Sequence, residues 1–178
     1  MVSKKLLIAI TLIGILLGIA IIFKGNENLK ASGKYLTTVE IYKNGELIWK
    51  GSNVITDIGF NFTRGQLLTP LTGVSLKYIS LSNVSGVCSN TATNIQELNV
   101  CGLTRAEGTV TQYGYNQYIV EKTFTLTCDV PNVQVAGLHW DPTAQSDNNL
   151  FSCASFPVVN LVTNDQITIR WNVTMIEG

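Results

Sequence analysis

Four cysteines, Cys88, Cys101, Cys128 and Cys153, are the residues of this chain best suited to covalent or metal chemistry. A zinc site needs thiolates at short spacing or histidines beside them. No C-x-x-C pair occurs, and His139 is the single histidine. No basic residue adjoins any of the four, so nothing in the sequence activates a thiol. An even cysteine count is instead the signature of disulfides formed in an oxidising compartment. Three pairings are open. Cys88–Cys101 and Cys128–Cys153 are favoured, since each closes a short loop around a polar, turn-rich segment. Each such bridge contributes about 3 kcal/mol by limiting the unfolded chain.

His139 stands beside Trp140 and Asp141, which offers a His/Asp pair, but a lone histidine in a β-domain is more often a packed or surface residue, and that is the favoured reading. A Ser-His-Asp hydrolase also needs an activated serine, and there is no G-x-S-x-G elbow. The 5 Asp and 7 Glu are scattered rather than paired as in a glycosidase. Asp141, Asp147, Asn148 and Asn149 offer the oxygen ligands that calcium takes, but not at EF-hand spacing, so a solvated loop is the favoured reading. Phosphate-cradling and dinucleotide fingerprints are absent. These residues point to no catalytic site, no metal and no cofactor.

Two kinds of surface chemistry stay open. Asn61-Phe62-Thr63, Asn83-Val84-Ser85 and Asn172-Val173-Thr174 are glycosylation sequons. Asn172 is the best placed, on the outward face of the last predicted strand, and Asn61, inside a predicted helix, the poorest. Tyr113, Tyr115 and Tyr118 lie close together in TVTQYGYNQYIV and could form an aromatic contact patch. Tyrosine offers broad amphipathic area at small entropic cost. The alternative is one face of a twisted strand.

The elements that must position these groups begin after an apolar segment. Leu6–Phe23 (LLIAITLIGILLGIAIIF) carries no charge and follows Lys4 and Lys5. As a helix it would span about 27 Å, close to a hydrocarbon core of about 30 Å. The preceding lysines keep the N-terminus cytoplasmic and send the rest outward. A retained anchor is preferred to a cleaved signal, because the run is long and no clean A-x-A site follows. Gly14 and Gly18 form a G-x-x-x-G pair, a possible close-packing face between two such helices. A type IV pilin is set aside, for no processing site precedes the run and no Glu lies just inside it.

Residues 24–35 are polar and read as a tether. Residues 36–178 then read as a single all-β domain. Val39, Ile41, Leu47 and Trp49 flank Asn44-Gly45, a type I′ turn signal, so TTVEIYKNGELIWKG is a hairpin. A short helix capped by Thr56 or Asp57 is expected over 56–68, weakened by two glycines. Strands are expected at 75–81, 108–113, 119–128, 133–140, 156–162 and 166–175. In the last, Ile167, Ile169, Trp171, Val173 and Met175 share one face. Short strands with turns between them and no intervening amphipathic helices make an antiparallel β-sandwich or jelly roll.

Across 178 residues the charges are 12 basic and 12 acidic, a net of zero, and only 13% of residues are charged. That balance excludes the basic stripe of a nucleic-acid binder. A hydrophobic share of 46% excludes disorder as the dominant state.

Residues 52–81 (SNVITDIGFNFTRGQLL…YISL), then Glu97-Leu98…Leu103-Thr104-Arg105, VEKTFTLT, VAGLHW, LFSCASF and DQITIRWNVTM follow an order that resembles the small β-rich tail and appendage proteins of double-stranded DNA viruses. The layout of export segment, short tether and Asn/Thr-rich, disulfide-bonded β-sandwich also resembles archaeal surface filaments of the thread or bundling-pilus kind. Both resemblances imply a structural, non-enzymatic role. The second implies strand donation between subunits. Leu36–Ile41, with Leu36, Val39 and Ile41 at the interface, or the tether before it would be the donor.

The expectation is therefore a self-associating structural subunit of an extracellular assembly, on a cell or virion surface. A membrane-anchored adhesion module that binds a cell-surface glycan or receptor is the alternative, and an exported hydrolase a third. The partners expected are other copies of the chain and, through the N-terminal helix, a membrane.

Overall fold

The computed structural model describes residues 34–68 and 75–176. Leu6–Phe23, with Gly14 and Gly18, lies outside the described residues. Among those described, no helix is long and apolar enough to cross a membrane.

Ten strands and one helix follow in chain order: β1 (Lys34–Lys43), β2 (Glu46–Ser52), β3 (Val54–Ile55), α1 (Asp57–Leu68), β4 (Tyr78–Ser82), β5 (Ala106–Glu107), β6 (Thr109–Tyr113), β7 (Gln117–Thr125), β8 (Val130–His139), β9 (Leu150–Leu161) and β10 (Gln166–Ile176). They form two antiparallel five-stranded sheets. The first runs β2-β1-β10-β7-β6 and the second β3-β9-β8-β4-β5. The antiparallel β-sandwich expected from the alternating segments is the fold observed. β1 begins at Lys34, two residues inside the segment read as a tether.

Alternation explains the first sheet. Val39 and Ile41 on β1, Val120 and Phe124 on β7, and Ile167, Ile169, Trp171 and Val173 on β10 are all buried. They meet Ile79, Leu81, Val133, Ala136, Leu138 and Phe156 of the second sheet in one core. The β1–β2 turn is the one that Asn44-Gly45 predicts, with φ of 51° and 84°. Asn44 also ties that turn to β10: its Oδ1 accepts from Gln166 N at 2.8 Å and its Nδ2 donates to Asp165 at 2.8 Å.

The chain passes between sheets at both sides of the sandwich. Asn53 links β2 in the first sheet to β3 in the second, and Gly108 links β5 to β6 in the reverse sense. Such corners close the sides with short edge strands.

β1 is paired on both sides, with β2 and with β10. Leu36 sits opposite Thr174, Val39 opposite Trp171 and Ile41 opposite Ile169. Within one chain, the segment expected to be a donor thus occupies a place in its own sheet. Val39 and Ile41 face the chain's own core, and from Thr38 onward the strand has its hairpin partner on one edge and the last strand on the other.

The middle of the second sheet is buried on both faces, which the sequence does not announce. Ile79–Ser82 and Leu150–Ala154 are buried without alternation. A covering segment, residues 83–105, and helix α1 lie over its outer face. There Ile95, Val135, Leu150 and Cys153 make a second small core, with Ile58, Val87 and Cys88 packed against it. Leu98 N donates to Leu81 O at 2.8 Å and Asp57 N to Asn90 O at 2.7 Å, fastening the layer down.

Both disulfides hold this layer. The bonds are Cys88–Cys153 and Cys101–Cys128, not the expected Cys88–Cys101 and Cys128–Cys153. Choosing the shortest loops paired two cysteines of the same covering segment. A bridge within that segment would anchor it to nothing, whereas each observed bridge ties it to the sandwich. The two bonds are the mark of an oxidising, extracytoplasmic environment.

Candidate functional site

Beneath the covering segment lies the molecule's one cluster of buried ionisable and nucleophilic side chains among the described residues. Ser80 comes from β4, His139 from the end of β8 and Asn149 from the entry to β9. Glu97 and Arg105 come from the covering segment. All five are buried.

Ser80 Oγ lies 2.7 Å from His139 Nε2, and His139 Nδ1 lies 3.0 Å from Asn149 Oδ1. Asn149 Oδ1 also accepts from Arg105 Nη1 at 3.0 Å. An oxygen acceptor on that side requires the Nδ1–H tautomer, so the Ser80 hydroxyl donates to Nε2. Arg105 donates through Nε to Glu97 at 3.0 Å and through Nη1 to the Asp141 carbonyl at 2.9 Å, and its Nη2 contacts the second Glu97 oxygen. Glu97 Oε1 lies 3.6 Å from His139 Nε2.

Serine, imidazole and an orienting amide thus stand in the hydrogen-bond order of a nucleophile, base and orienter. Two features oppose acyl-transfer chemistry. Ser80 and His139 are both 0% exposed. Burial first, and then the charge of Arg105, push the His139 pKa down from 6.5 to about 3. A base that weak takes a hydroxyl proton poorly at neutral pH. The cluster acts as a satisfied polar seam. Buried charges are tolerated when paired and hydrogen-bonded, and here the partners come from the layer, from the sheet beneath it and from the β8–β9 connection.

His139 is a packed residue, and the His139–Asp141 pair that sequence proximity offered is not formed. The Asp141 carboxylate accepts from Thr143 N at 2.7 Å, which holds its pKa below the usual carboxylate value, and Asn149 takes the place beside the imidazole. The calcium-loop residues are spread apart in the same way. Asp147 accepts from Asn94 at 3.1 Å, and Asn149 is committed to His139 and Arg105. Among the described residues no three His, Cys, Asp or Glu converge as a metal group.

The tyrosines separate as well. Tyr115 is fully exposed at the β6–β7 tip, Tyr113 is exposed on the outer face of the first sheet, and Tyr118 packs against the core. Of the sequon asparagines, Asn61 is exposed on α1, Asn83 is half-buried after β4, and Asn172 is half-buried in the middle of the first sheet. The most exposed of the three is thus the one expected to be poorest, and Asn172 is partly shielded because β10 is a central strand flanked by side chains on both sides.

Ser80, Glu97 and Arg105 escaped the sequence reading. The available signal was YISLS, where serines occupy every second position of a strand. That pattern normally marks a solvent face, and here the covering segment buries it. Compared with protein-family models, with curated proteins and with solved structures, the chain finds no match.

Proposed function

We propose that this protein is a non-enzymatic structural subunit of an extracellular assembly, joined to further copies of itself through the edges of the first sheet. The observation that carries this reading is β6. All five of its residues, Thr109–Tyr113, are exposed, none is charged and none is proline. An edge strand without charge, proline or bulge is open to pairing with another chain.

The opposite edge of the same sheet is β2. Between β2 and β9 runs a groove of about 320 Å³ lined by Ile48, Trp49, Pro157, Val158 and Val159. Val110 on β6 pairs with the buried Val120 and so projects toward the inter-sheet side. If β6 of one copy is added to β2 of the next, Val110 comes over that groove. Because the two edges lie at opposite ends of one sheet, the contact is heterologous and propagates into a filament. The apolar segment Leu6–Phe23 would export the subunit or anchor the first one.

Negative-stain microscopy and light scattering of the full chain test the reading. Concentration-dependent filaments or oligomers are expected, and Val110→Lys, which puts a charge on the edge, is expected to return them to monomers. Monomers at every concentration for the unsubstituted chain would overturn it.

A further inference from the structure

The solvent face of the first sheet carries a row of paired charges in register across its strands. Lys50 on β2 stands opposite Glu40 on β1, Glu40 opposite Arg170 on β10, Arg170 opposite Glu121 on β7, and Glu121 opposite Thr109 on β6. Lys50 lies 2.8 Å from Glu40, and Arg170 Nε lies 2.5 Å from Glu121 Oε2. Arg170 is also held from the other side, with its guanidinium 5.0 Å above the Tyr42 ring and Nη1 3.0 Å from the Tyr42 hydroxyl. The guanidinium and carboxylate are therefore fixed rather than free to sweep through solvent.

At the β6 end of this row the surface forms a dish of about 200 Å³, with Thr109, Thr111, Tyr113, Ile119, Glu121 and Arg170 around it. Several of its hydrogen-bonding groups have no partner among the described residues: the Thr109 and Thr111 hydroxyls, the Tyr113 hydroxyl, Glu121 Oε1 and Arg170 Nη2. Tyr113 is 56% exposed at the rim. Each face of this dish narrows the chemistry of an occupant. The charges cancel in pairs, so the dish attracts neither an anion nor a cation. Fixed donors and acceptors side by side suit neighbouring hydroxyls, each of which both donates and accepts. An exposed ring beside them suits an apolar C–H face. A space that would hold about six or seven waters fits one ring of a larger chain.

We infer that the Tyr113–Glu121–Arg170 dish is a binding site for a neutral carbohydrate, taking one sugar unit of a surface polysaccharide with the unit's C–H face on Tyr113. This goes beyond the assembly reading and does not depend on it: Thr109, Thr111 and Tyr113 belong to the edge strand β6, but they stand on the sheet's solvent face, whereas the proposed pairing uses the strand's backbone.

Affinity electrophoresis through gels containing soluble starch, xylan or mannan tests the inference, with heparin as the charged probe. Retardation by at least one neutral polymer is expected. It should weaken roughly fivefold to tenfold in Tyr113→Ala, the loss of one aromatic contact, and similarly in Glu121→Gln. Tyr115→Ala, at the hairpin tip outside the dish, should leave it unchanged. Val110→Lys monomers should still be retarded, which separates failure of this site from failure of the assembly. Three results would overturn the inference: no retardation by any neutral polymer, retardation unaffected in Tyr113→Ala while melting curves match, or salt-sensitive retention by heparin alone.

Discussion

His139 is held neutral because its neighbours leave no place for a second proton. Its Nδ1 proton is donated to Asn149, its Nε2 accepts from Ser80, and Arg105 already supplies the cation that Glu97 balances. Burial and that cation bring its folded pKa to about 3, against about 6.5 in an unfolded chain. As pH falls below 6.5 the unfolded state binds a proton that the folded state refuses. Stability is therefore fully present above pH 6.5 and is lost progressively down to about pH 3, by at most about 4 or 5 kcal/mol. Asp165, whose pKa is lowered to about 2 chiefly by its hydrogen bond from Asn44, has the same sign. Its contribution is lost only below the ordinary carboxylate range of about 4. The window between pH 6.5 and pH 4.5 thus belongs to His139. Urea midpoints should fall steadily through it, and His139→Gln should flatten that slope while lowering stability at pH 7. An equal slope in the variant would contradict the assignment. None of this was legible beforehand, because Asp141 is two positions from His139 in the sequence while the histidine's actual partners are 59 and 10 positions away.

Helix α1 shows where local propensity and packing give opposite answers. Thr56 caps it, with Oγ1 accepting from Gly59 N at 3.0 Å while also donating to the Leu150 carbonyl at 2.5 Å. The cap was readable from sequence. Gly59 read as a weakness, yet a Cβ there would come within 2.2 Å of the Phe151 carbonyl oxygen. The glycine is what lets the helix lie directly on the β9 backbone, with Phe62 stacked on Trp140 at 4.4 Å beside it. Helix propensity alone predicts that Gly59→Ala stabilises by about 1 kcal/mol. The close approach predicts destabilisation by about 1–3 kcal/mol, as for overpacked cores. Chemical denaturation of the variant decides the sign. The strands divide along the same line. Those of the first sheet face a core on one side and water on the other, so their period of two is plain, and β10 and the β1–β2 hairpin fall where expected. The early part of β9 is buried on both faces, loses its alternation and was missed from Leu150 to Ser155.

For the molecule as a whole, the sandwich and the layer over it are stabilised by different means. The sandwich has a continuous apolar core drawn from both sheets. The covering segment inserts Leu103 into that core, with Leu98 and Cys101 packed against it, and adds a small apolar cluster, the polar seam and two disulfides. Loop closure over 65 and 27 residues corresponds to about 4 and about 3.5 kcal/mol, so neither bridge dominates by entropy. Access separates them. Cys153 is fully buried under the layer, whereas Cys128 is exposed at the turn after β7. Thiol attack needs a reachable sulfur, so graded reduction should open Cys101–Cys128 first, and peptide mapping of trapped thiols reads the order. Once Cys88–Cys153 is also open, the covering segment loses its tie to β9. Amide exchange should then accelerate at Leu98 and Leu103, whose N–H groups bond to Leu81 and Val100. Amides in the middle of β1 and β10, paired on both sides, should keep their protection. If exchange rose uniformly across both sheets instead, layer and sandwich would be one cooperative unit, and the disulfides would be holding the whole fold rather than its outer cover.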